Sequence, residues 1–190
     1  MKHFRPIHYA LSALFAAVLL TACSTYPSDR RTPVPVEYTS AYQEIYGHCY
    51  DSVPYAVVAL DLYSDSLYLD VNHRMQGTGY NLYISDIFVP DSLLAVGEYH
   101  SLPDRRQPVV PYTFLPGRDW DGTPTGIYRL YVEQGKLQSI QLLDSGTMVV
   151  RDTTNGLIDI SFTFYYHNTY GAKATYNAHY QGALSPWLKK

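Results

Sequence analysis

The sequence is poor in cysteine and in charge, and it has no excess of basic residues. Two cysteines among 190 residues are too few for a fold held together by disulfides. With a formal charge of −3 and a pI near 6.1, the protein lacks the positive electrostatic potential that nucleic-acid binding requires. Apolar residues still make up 46% of the chain, which is too much for a disordered protein. The length leaves room for one folded domain and a tail.

Recognisable catalytic motifs are missing as well. The sequence contains no Gly-x-Ser-x-Gly elbow and no phosphate-binding glycine loop. Its histidines form neither a His-x-x-x-His pair nor a His-Glu-x-x-His motif, so a zinc hydrolase has no support. We therefore expect that the protein is not an enzyme and has no resident cofactor.

The amino-terminal residues have the pattern of a secretion signal. Lys2 and Arg5 precede an apolar stretch, residues 9–20, which is the order of a signal peptide. That stretch is shorter than the roughly 20 residues of a membrane-spanning helix. It runs into Leu20-Thr21-Ala22-Cys23, which resembles the lipobox of bacterial lipoproteins. An ordinary signal peptide with a chance cysteine is the alternative.

The lipobox resemblance implies a lipid anchor. In that family the cysteine carries palmitate-type acyl chains and the chain is cut before it, which would leave Cys23 as the first residue. Ser24 stands where lipoproteins retained in the inner membrane carry aspartate, so the resemblance implies the bacterial outer membrane. Whether the domain faces the periplasm or the outside stays open. Cys49 is then the remaining thiol, and we expect it to be a small buried apolar residue.

These features divide the chain into three parts. Residues 1–22 are the predicted signal peptide, and residues 23–40 are the lipidated cysteine with a proline-rich tether. The prolines of this segment favour extended, semi-rigid chain. Residues 41–190 form a single predicted β domain.

The hydrophobic pattern of the predicted domain has a period of two. In residues 158–164, four apolar side chains alternate with three polar ones, the pattern of a strand with one face in a core. Turn residues separate such runs at Ser64-Asp65, Gln134-Gly135 and Asn155-Gly156. No window predicts a long amphipathic helix, and residues 40–46 could form one helical turn at most.

The predicted fold is therefore all-β, an antiparallel β-sandwich with a carboxy-terminal meander over residues 126–184. Short strands between glycine and proline turns are typical of sandwiches and barrels. The unevenly placed prolines of residues 103–116 favour the sandwich, and a small β-barrel is the alternative.

Five short sequence phrases occur in order along the predicted domain. They are Leu60-Asp61-Leu62-Tyr63, Gly97-Glu98-Tyr99, Tyr112-Thr113-Phe114-Leu115-Pro116-Gly117, Asp144-Ser145-Gly146-Thr147-Met148-Val149-Val150 and Tyr180-Gln181-Gly182-Ala183-Leu184. Together they resemble a group of small envelope lipoproteins of Bacteroides and its relatives, mostly of unknown function. The resemblance spans about residues 42–184 and implies an all-β envelope domain without assigning catalytic residues.

Four Asp-Ser or Asp-Thr triplets resemble the acceptor of an envelope O-glycosylation system in such bacteria. The candidate acceptor residues are Ser52, Ser66, Ser92 and Thr153, each at a predicted turn or strand edge where a sugar would stand in water. Because aspartate and serine are common turn residues, turn formation alone is the alternative.

Two further features suggest binding sites. Asp119 and Asp121 lie in an Asp-x-Asp-Gly run that could offer oxygen ligands to Ca²⁺, although the closing glutamate of a full calcium loop is missing. Trp120 between them is a candidate ligand platform. Tyr83 and Tyr165 fall opposite the apolar faces of their strands and could stack on a sugar or contact a protein.

The sequence therefore predicts a membrane-anchored, non-enzymatic binding or envelope-associated module with a glycan or protein ligand. An envelope hydrolase that uses strand carboxylates is one alternative, with Asp61, Asp70 and Asp86 as the acids. A small lipocalin-like carrier with an apolar cavity is another. Two convergent acids, one with a perturbed pKa, would favour the hydrolase.

Overall fold

Strands and turns make up the described chain in this computed structural model, which covers residues 35–64, 66–104, 106–153 and 155–187. No helix occurs within these ranges, so the all-β prediction is confirmed. A membrane-spanning apolar helix is accordingly not found among these residues. The strands are β1 (Val36–Tyr38), β2 (Ser40–Gly47), β3 (Ala56–Tyr63), β4 (Tyr68–Leu69), β5 (Met75–Gln76), β6 (Gly79–Val89), β7 (Gly97–Ser101), β8 (Thr113–Phe114), β9 (Arg118–Trp120), β10 (Thr123–Thr125), β11 (Ile127–Glu133), β12 (Lys136–Leu142), β13 (Ser145–Asp152), β14 (Ile158–His167), β15 (Lys173–Gly182) and β16 (Leu184–Trp187).

Twelve of these strands form one large mixed sheet. Its order is β1-β15-β14-β13-β7-β8-β6-β3-β2-β16, and the β11–β12 hairpin joins it through a pairing between β11 and β6. Most neighbours are antiparallel, but β1–β15, β7–β8 and β16–β2 are parallel. Two small two-stranded sheets, β4–β5 and β9–β10, stand apart from it.

The pairing of the first two strands with the last two curls the large sheet. β1 runs parallel to β15, and the next strand along the chain, β2, runs parallel to β16. Residues 36–44 therefore lie beside residues 178–187. Both the predicted sandwich and its barrel alternative agree with this curled sheet. We call the end at which β2 and β16 finish the far end.

The hydrophobic core lies on the concave side of the curled sheet. Along β14, Ile160, Phe162 and Phe164 are buried as their alternation predicts, and they join a cluster that includes Leu60 and Ile84. β3 is buried on both faces along its whole length. Its outer face is covered by tyrosines of neighbouring strands and by a second, smaller apolar cluster. That cluster consists of Val57, Phe88, Leu102 and Leu115.

The structure differs from the sequence prediction at several elements. Residues 40–47 form a strand rather than a helical turn, because Ala41 packs in the core while the backbone pairs with β3 on one edge and, over residues 41–44, with β16 on the other. The sheet starts at Val36, within the predicted tether. The carboxy-terminal meander is interrupted, since β13 pairs with β7 instead of β12.

The turn predicted at Gln134-Gly135 is confirmed. It joins β11 to β12, and both of its residues have positive φ, 50° and 72°. Such a pair twists in the sense that two hydrogen-bonded antiparallel strands require.

Candidate functional site

The predicted lipidation site lies outside the described residues. Cys23, the signal peptide at residues 1–22 and the tether up to residue 34 are all outside them, so the anchor stays a prediction. Cys49 is described, and it is exposed rather than buried, because it follows the end of β2 where the chain leaves the sheet. Partial burial, together with the nearby charge of Asp86, raises the pKa of its thiol. Cys49 is therefore not an activated nucleophile.

The candidate glycosylation residues lie at turns, as predicted. Ser52, Ser66 and Ser92 are exposed. Thr153 is half-buried, and its hydroxyl donates a hydrogen bond of 2.9 Å to the backbone carbonyl of Leu157. The three serines are thus open to modification, whereas Thr153 also serves its own turn.

The Asp119–Asp121 loop is a short hairpin between β9 and β10. Asp121 and Gly122 have positive φ, 51° and 78°, which makes them the turn residues of this hairpin. Asp119 sits on β9 opposite Pro124, and no cluster of three metal-ligating side chains occurs in the described ranges. The turn explains the Asp-Gly pair without a metal, and calcium binding stays a prediction.

The three predicted aromatic platforms differ in exposure. Trp120 is 62% exposed, with the guanidinium of Arg118 5.7 Å from its ring centre. Tyr165 lies on the outer face of β14, and the ammonium of Lys173 sits 4.4 Å from its ring. Tyr83 also lies on the outer face, but it is half-buried within a polar cluster. The structure does not bring these three aromatics together.

That polar cluster contains two carboxyl groups on the outer face of β2 and β3. Asp61 is 7% exposed and Glu44 is 9% exposed. The hydroxyl of Tyr63 donates to Asp61 at 2.5 Å, and the Asn81 amide also donates to this carboxylate. The Tyr46 hydroxyl donates to Glu44. We call these five residues, with Tyr83, the acid cluster.

Cross-strand registers build the acid cluster. Asp61 pairs with Tyr42 of β2 on one side and with Tyr83 of β6 on the other. Tyr83 pairs in turn with Tyr128 of β11, and their ring centres are 5.2 Å apart. One row of side chains therefore crosses four strands, with Asp61 inside it and aromatic rings around it.

Burial controls the protonation of the acid cluster. Loss of hydration raises the pKa of Asp61 to about 6, against the opposing effect of its bonds from Tyr63 and Asn81. The charge of Glu44 raises it further. Burial also raises the pKa of Tyr46 to about 12 and that of Tyr83 well above its ordinary value. The tyrosines therefore stay neutral hydrogen-bond donors at neutral pH.

The other two strand acids named as hydrolase candidates do not converge with Asp61. Asp70 follows β4 and accepts hydrogen bonds from the backbone N–H groups of Asn72 and Arg74, which lowers the pKa of its carboxyl. It therefore closes a turn. Asp86 lies on β6 with φ of 54°. It is the extra residue of a bulge, since Ile84 and Ile87 both face the core.

A groove of about 470 Å³ lies beside this bulge, on the outer face of the sheet. We call it the Tyr50 groove. Tyr50 is 42% exposed and packs 6.2 Å from the buried ring of Phe88. The Tyr50 hydroxyl donates a hydrogen bond of 2.5 Å to Asp86, which fixes the ring. The lining residues are Tyr50, Ser52, Val53, Pro54, Phe88, Gln107, Pro108, Val109 and Leu115.

A half-buried cation lies on the concave face of β11. The guanidinium of Arg129 sits 4.9 Å from the ring of Tyr80 and 4.5 Å from that of Tyr176. It donates a hydrogen bond of 2.5 Å to Gln141. The buried hydroxyls of Tyr38 and Tyr176 are bonded at 2.5 Å. These contacts offset the free-energy cost of burying the guanidinium group. They give Arg129 a structural role in the packing of the core.

The sequence analysis predicted neither the Tyr50 groove nor Glu44, the second carboxyl group of the acid cluster. The groove joins residues from three distant segments, so no local pattern marks it. Glu44 could have been found, because Tyr42, Glu44 and Tyr46 alternate along β2. Compared with protein-family models, with curated proteins and with solved structures, the chain shows no significant match.

Proposed function

We propose that the chain is an outer-membrane lipoprotein, anchored through an acylated Cys23, whose β domain binds a glycan and catalyses no reaction. The lipobox-like residues before Cys23 and the resemblance to small Bacteroides-type envelope lipoproteins support the anchor. The single observation that supports glycan binding is the Tyr50 groove.

The Tyr50 groove has the chemistry that a sugar needs. A sugar ring packs its C–H face on an aromatic ring and satisfies its hydroxyls with a few well-placed polar groups. Tyr50 offers a ring held in place by Asp86, and Phe88 extends the apolar wall. Ser52 and Gln107 supply a hydroxyl and an amide at the rim. This combination favours an uncharged glycan over an anionic one, because the carboxylate of Asp86 lies next to the ring.

Substitution of Tyr50 tests the proposal that the groove binds a glycan. The full chain, carried in phospholipid nanodiscs, is applied to an array of neutral and acidic oligosaccharides. We expect retention of a neutral oligosaccharide that falls about tenfold or more in Tyr50→Ala, because buried aromatic contacts dominate such interfaces.

Tyr170→Ala is the matched control for this experiment. Tyr170 is 93% exposed in the turn between β14 and β15, so its loss leaves the groove intact. The proposal is contradicted if no oligosaccharide is retained, or if Tyr50→Ala and Tyr170→Ala retain it equally.

An envelope hydrolase is the second candidate, favoured by the raised pKa of Asp61 next to Glu44. A general acid needs such a shift. Against it, both carboxyls are almost fully buried and already bound by tyrosine hydroxyls. A hydrolase predicts cleavage of a retained oligosaccharide with a rate that falls above about pH 6 and is abolished by Asp61→Asn.

The carrier alternative receives less support. Large side chains, among them Tyr99, Phe114, Met148 and Phe162, occupy the concave side of the sheet where a carrier would hold its ligand. A ligand site on this side therefore belongs at an end of the curled sheet rather than at its centre.

A further inference from the structure

A second cleft lies at the far end of the curled sheet. Its volume is about 380 Å³. Ile45, Leu93 and Leu157 stand around it with 47%, 56% and 38% of their surface exposed, so its walls are apolar and open to water. We call it the far-end cleft. The lining residues are Gln43, Ile45, Leu93, Leu94, Asp152, Gly156, Leu157, Ile158, Leu184 and Pro186.

One side chain in this cleft is an anomaly. Gln43 is 6% exposed, and its side-chain nitrogen Nε2 is buried with no hydrogen-bond partner. Buried polar atoms in folded proteins are nearly always paired. Gln43 lies between Leu60 of β3 and Pro186 of β16, and neither neighbour has a side chain that accepts a hydrogen bond. An unpaired hydrogen-bond donor at this position indicates a ligand that carries a hydrogen-bond acceptor.

The charge and size of the far-end cleft narrow the class of ligand. Asp152 is the charged residue among its lining residues, so an anionic ligand would be repelled. At roughly 30 Å³ for a water-sized group, the cleft holds about a dozen heavy atoms. Because the walls of the cleft are apolar, a ligand needs a hydrocarbon part to cover them.

We infer that the far-end cleft binds a small neutral amphiphile, with its hydrocarbon part against Leu93, Leu157 and Ile45 and a carbonyl-type acceptor on the Gln43 amide. The cleft shares no lining residue with the Tyr50 groove, so this inference stands independently of the glycan proposal. Leu94, Ile158 and Leu184 pack against the core and give the cleft a rigid floor.

Photolabelling tests the inference with the full chain in nanodiscs. The probe is a short aliphatic methyl ketone that carries an alkyl diazirine, and labelled peptides are identified by mass spectrometry. We expect saturable labelling of the peptides that contain residues 93–94 and 157–158. Gln43→Leu removes the donor and keeps the volume, and it should lower labelling about fivefold, the factor that one hydrogen bond contributes.

Two exposed leucines provide a second variant and its control. Leu93→Arg places a charge on the apolar wall without adding a carboxyl group that the diazirine would label, and it should lower labelling about tenfold, whereas Leu137→Arg should not change it. Leu137 is 53% exposed on β12, close to the 56% exposure of Leu93. Labelling at the cleft that is unsaturable, or that survives Leu93→Arg, overturns the inference. Loss with Leu93→Arg but not with Gln43→Leu overturns the role of the amide.

Discussion

Asp61 is a carboxyl group on the outer face of a sheet, where period-two patterning predicts contact with water. It is nevertheless 7% exposed, because Tyr63, Tyr83 and Tyr128 cover it from its own strand and from two others. The alternation of β3 predicts which face Asp61 takes. Its burial depends on side chains separated from it by up to 67 positions, and no local pattern reports that.

The raised pKa of Asp61 makes the stability of the domain depend on pH. Its carboxyl binds a proton more tightly in the folded state, with a pKa of about 6, than in the unfolded chain, at 3.8. Its contribution to stability therefore falls as the pH rises from about 4 to above 6 and is constant beyond that range. Two pKa units correspond to about 3 kcal/mol.

Asp61→Asn should remove this dependence. Relative to the unaltered chain, we expect the variant to gain about 3 kcal/mol in free energy of unfolding between pH 4 and pH 7.5, measured by urea denaturation. Asp91→Asn, at an exposed turn residue outside the acid cluster, is the control for the loss of a carboxyl group. A constant difference for Asp61→Asn would show that its carboxyl ionises normally in the fold.

At the scale of elements, the parallel pairing of β1 with β15 holds the first strand in the sheet. A cluster of charges strengthens it. His179 of β15 bonds to Glu37 of β1 at 2.7 Å and to Asp159 of β14 at 3.3 Å, and Arg151 of β13 lies 3.5 Å from Asp159. Although burial opposes it, bonding to the two carboxylates raises the pKa of His179.

Parallel pairing between the two ends of a chain could not be predicted from hairpin signals, which report only neighbours in sequence. The hairpins β11–β12 and β13–β14 were predicted from Gln134-Gly135 and Asn155-Gly156. The pairings of β7 with β13 and of β6 with β11 bring together distant segments, and the sequence contains no turn that specifies them.

His179→Gln tests the contribution of this charge cluster. Since the folded pKa of His179 is raised, its stabilisation is fully present below pH 6.5 and is lost as the pH rises through the folded pKa. We expect the variant to lose about 1 kcal/mol at pH 5.5 and less at pH 8.5, measured by urea denaturation.

His167→Gln is the matched control for His179→Gln. His167 also pairs with one carboxylate, Asp144 at 2.7 Å, but 61% of its side chain is exposed and the pair joins no terminal strand. An equal effect of both substitutions at both pH values would show that the four-strand charge cluster adds nothing beyond a surface pair.

At the scale of the whole molecule, the all-β class and several strand bounds could be predicted, because alternation and turn residues are local. The two grooves could not. The Tyr50 groove and the far-end cleft are each assembled from separate loops and strand ends, which only the curled sheet brings together. The proposed lipid anchor is the opposite case, since its prediction depends on a short contiguous segment, Leu20–Cys23.

Intact mass spectrometry of the protein recovered from bacterial outer membranes tests the central claim most directly. We predict a chain that begins at Cys23, heavier than its sequence by the mass of its acyl chains, and a Cys23→Ala variant that carries no acyl chain and leaves the detergent phase. A product that still carries its first 22 residues, or a Cys23→Ala variant with unchanged acyl labelling, would contradict the account.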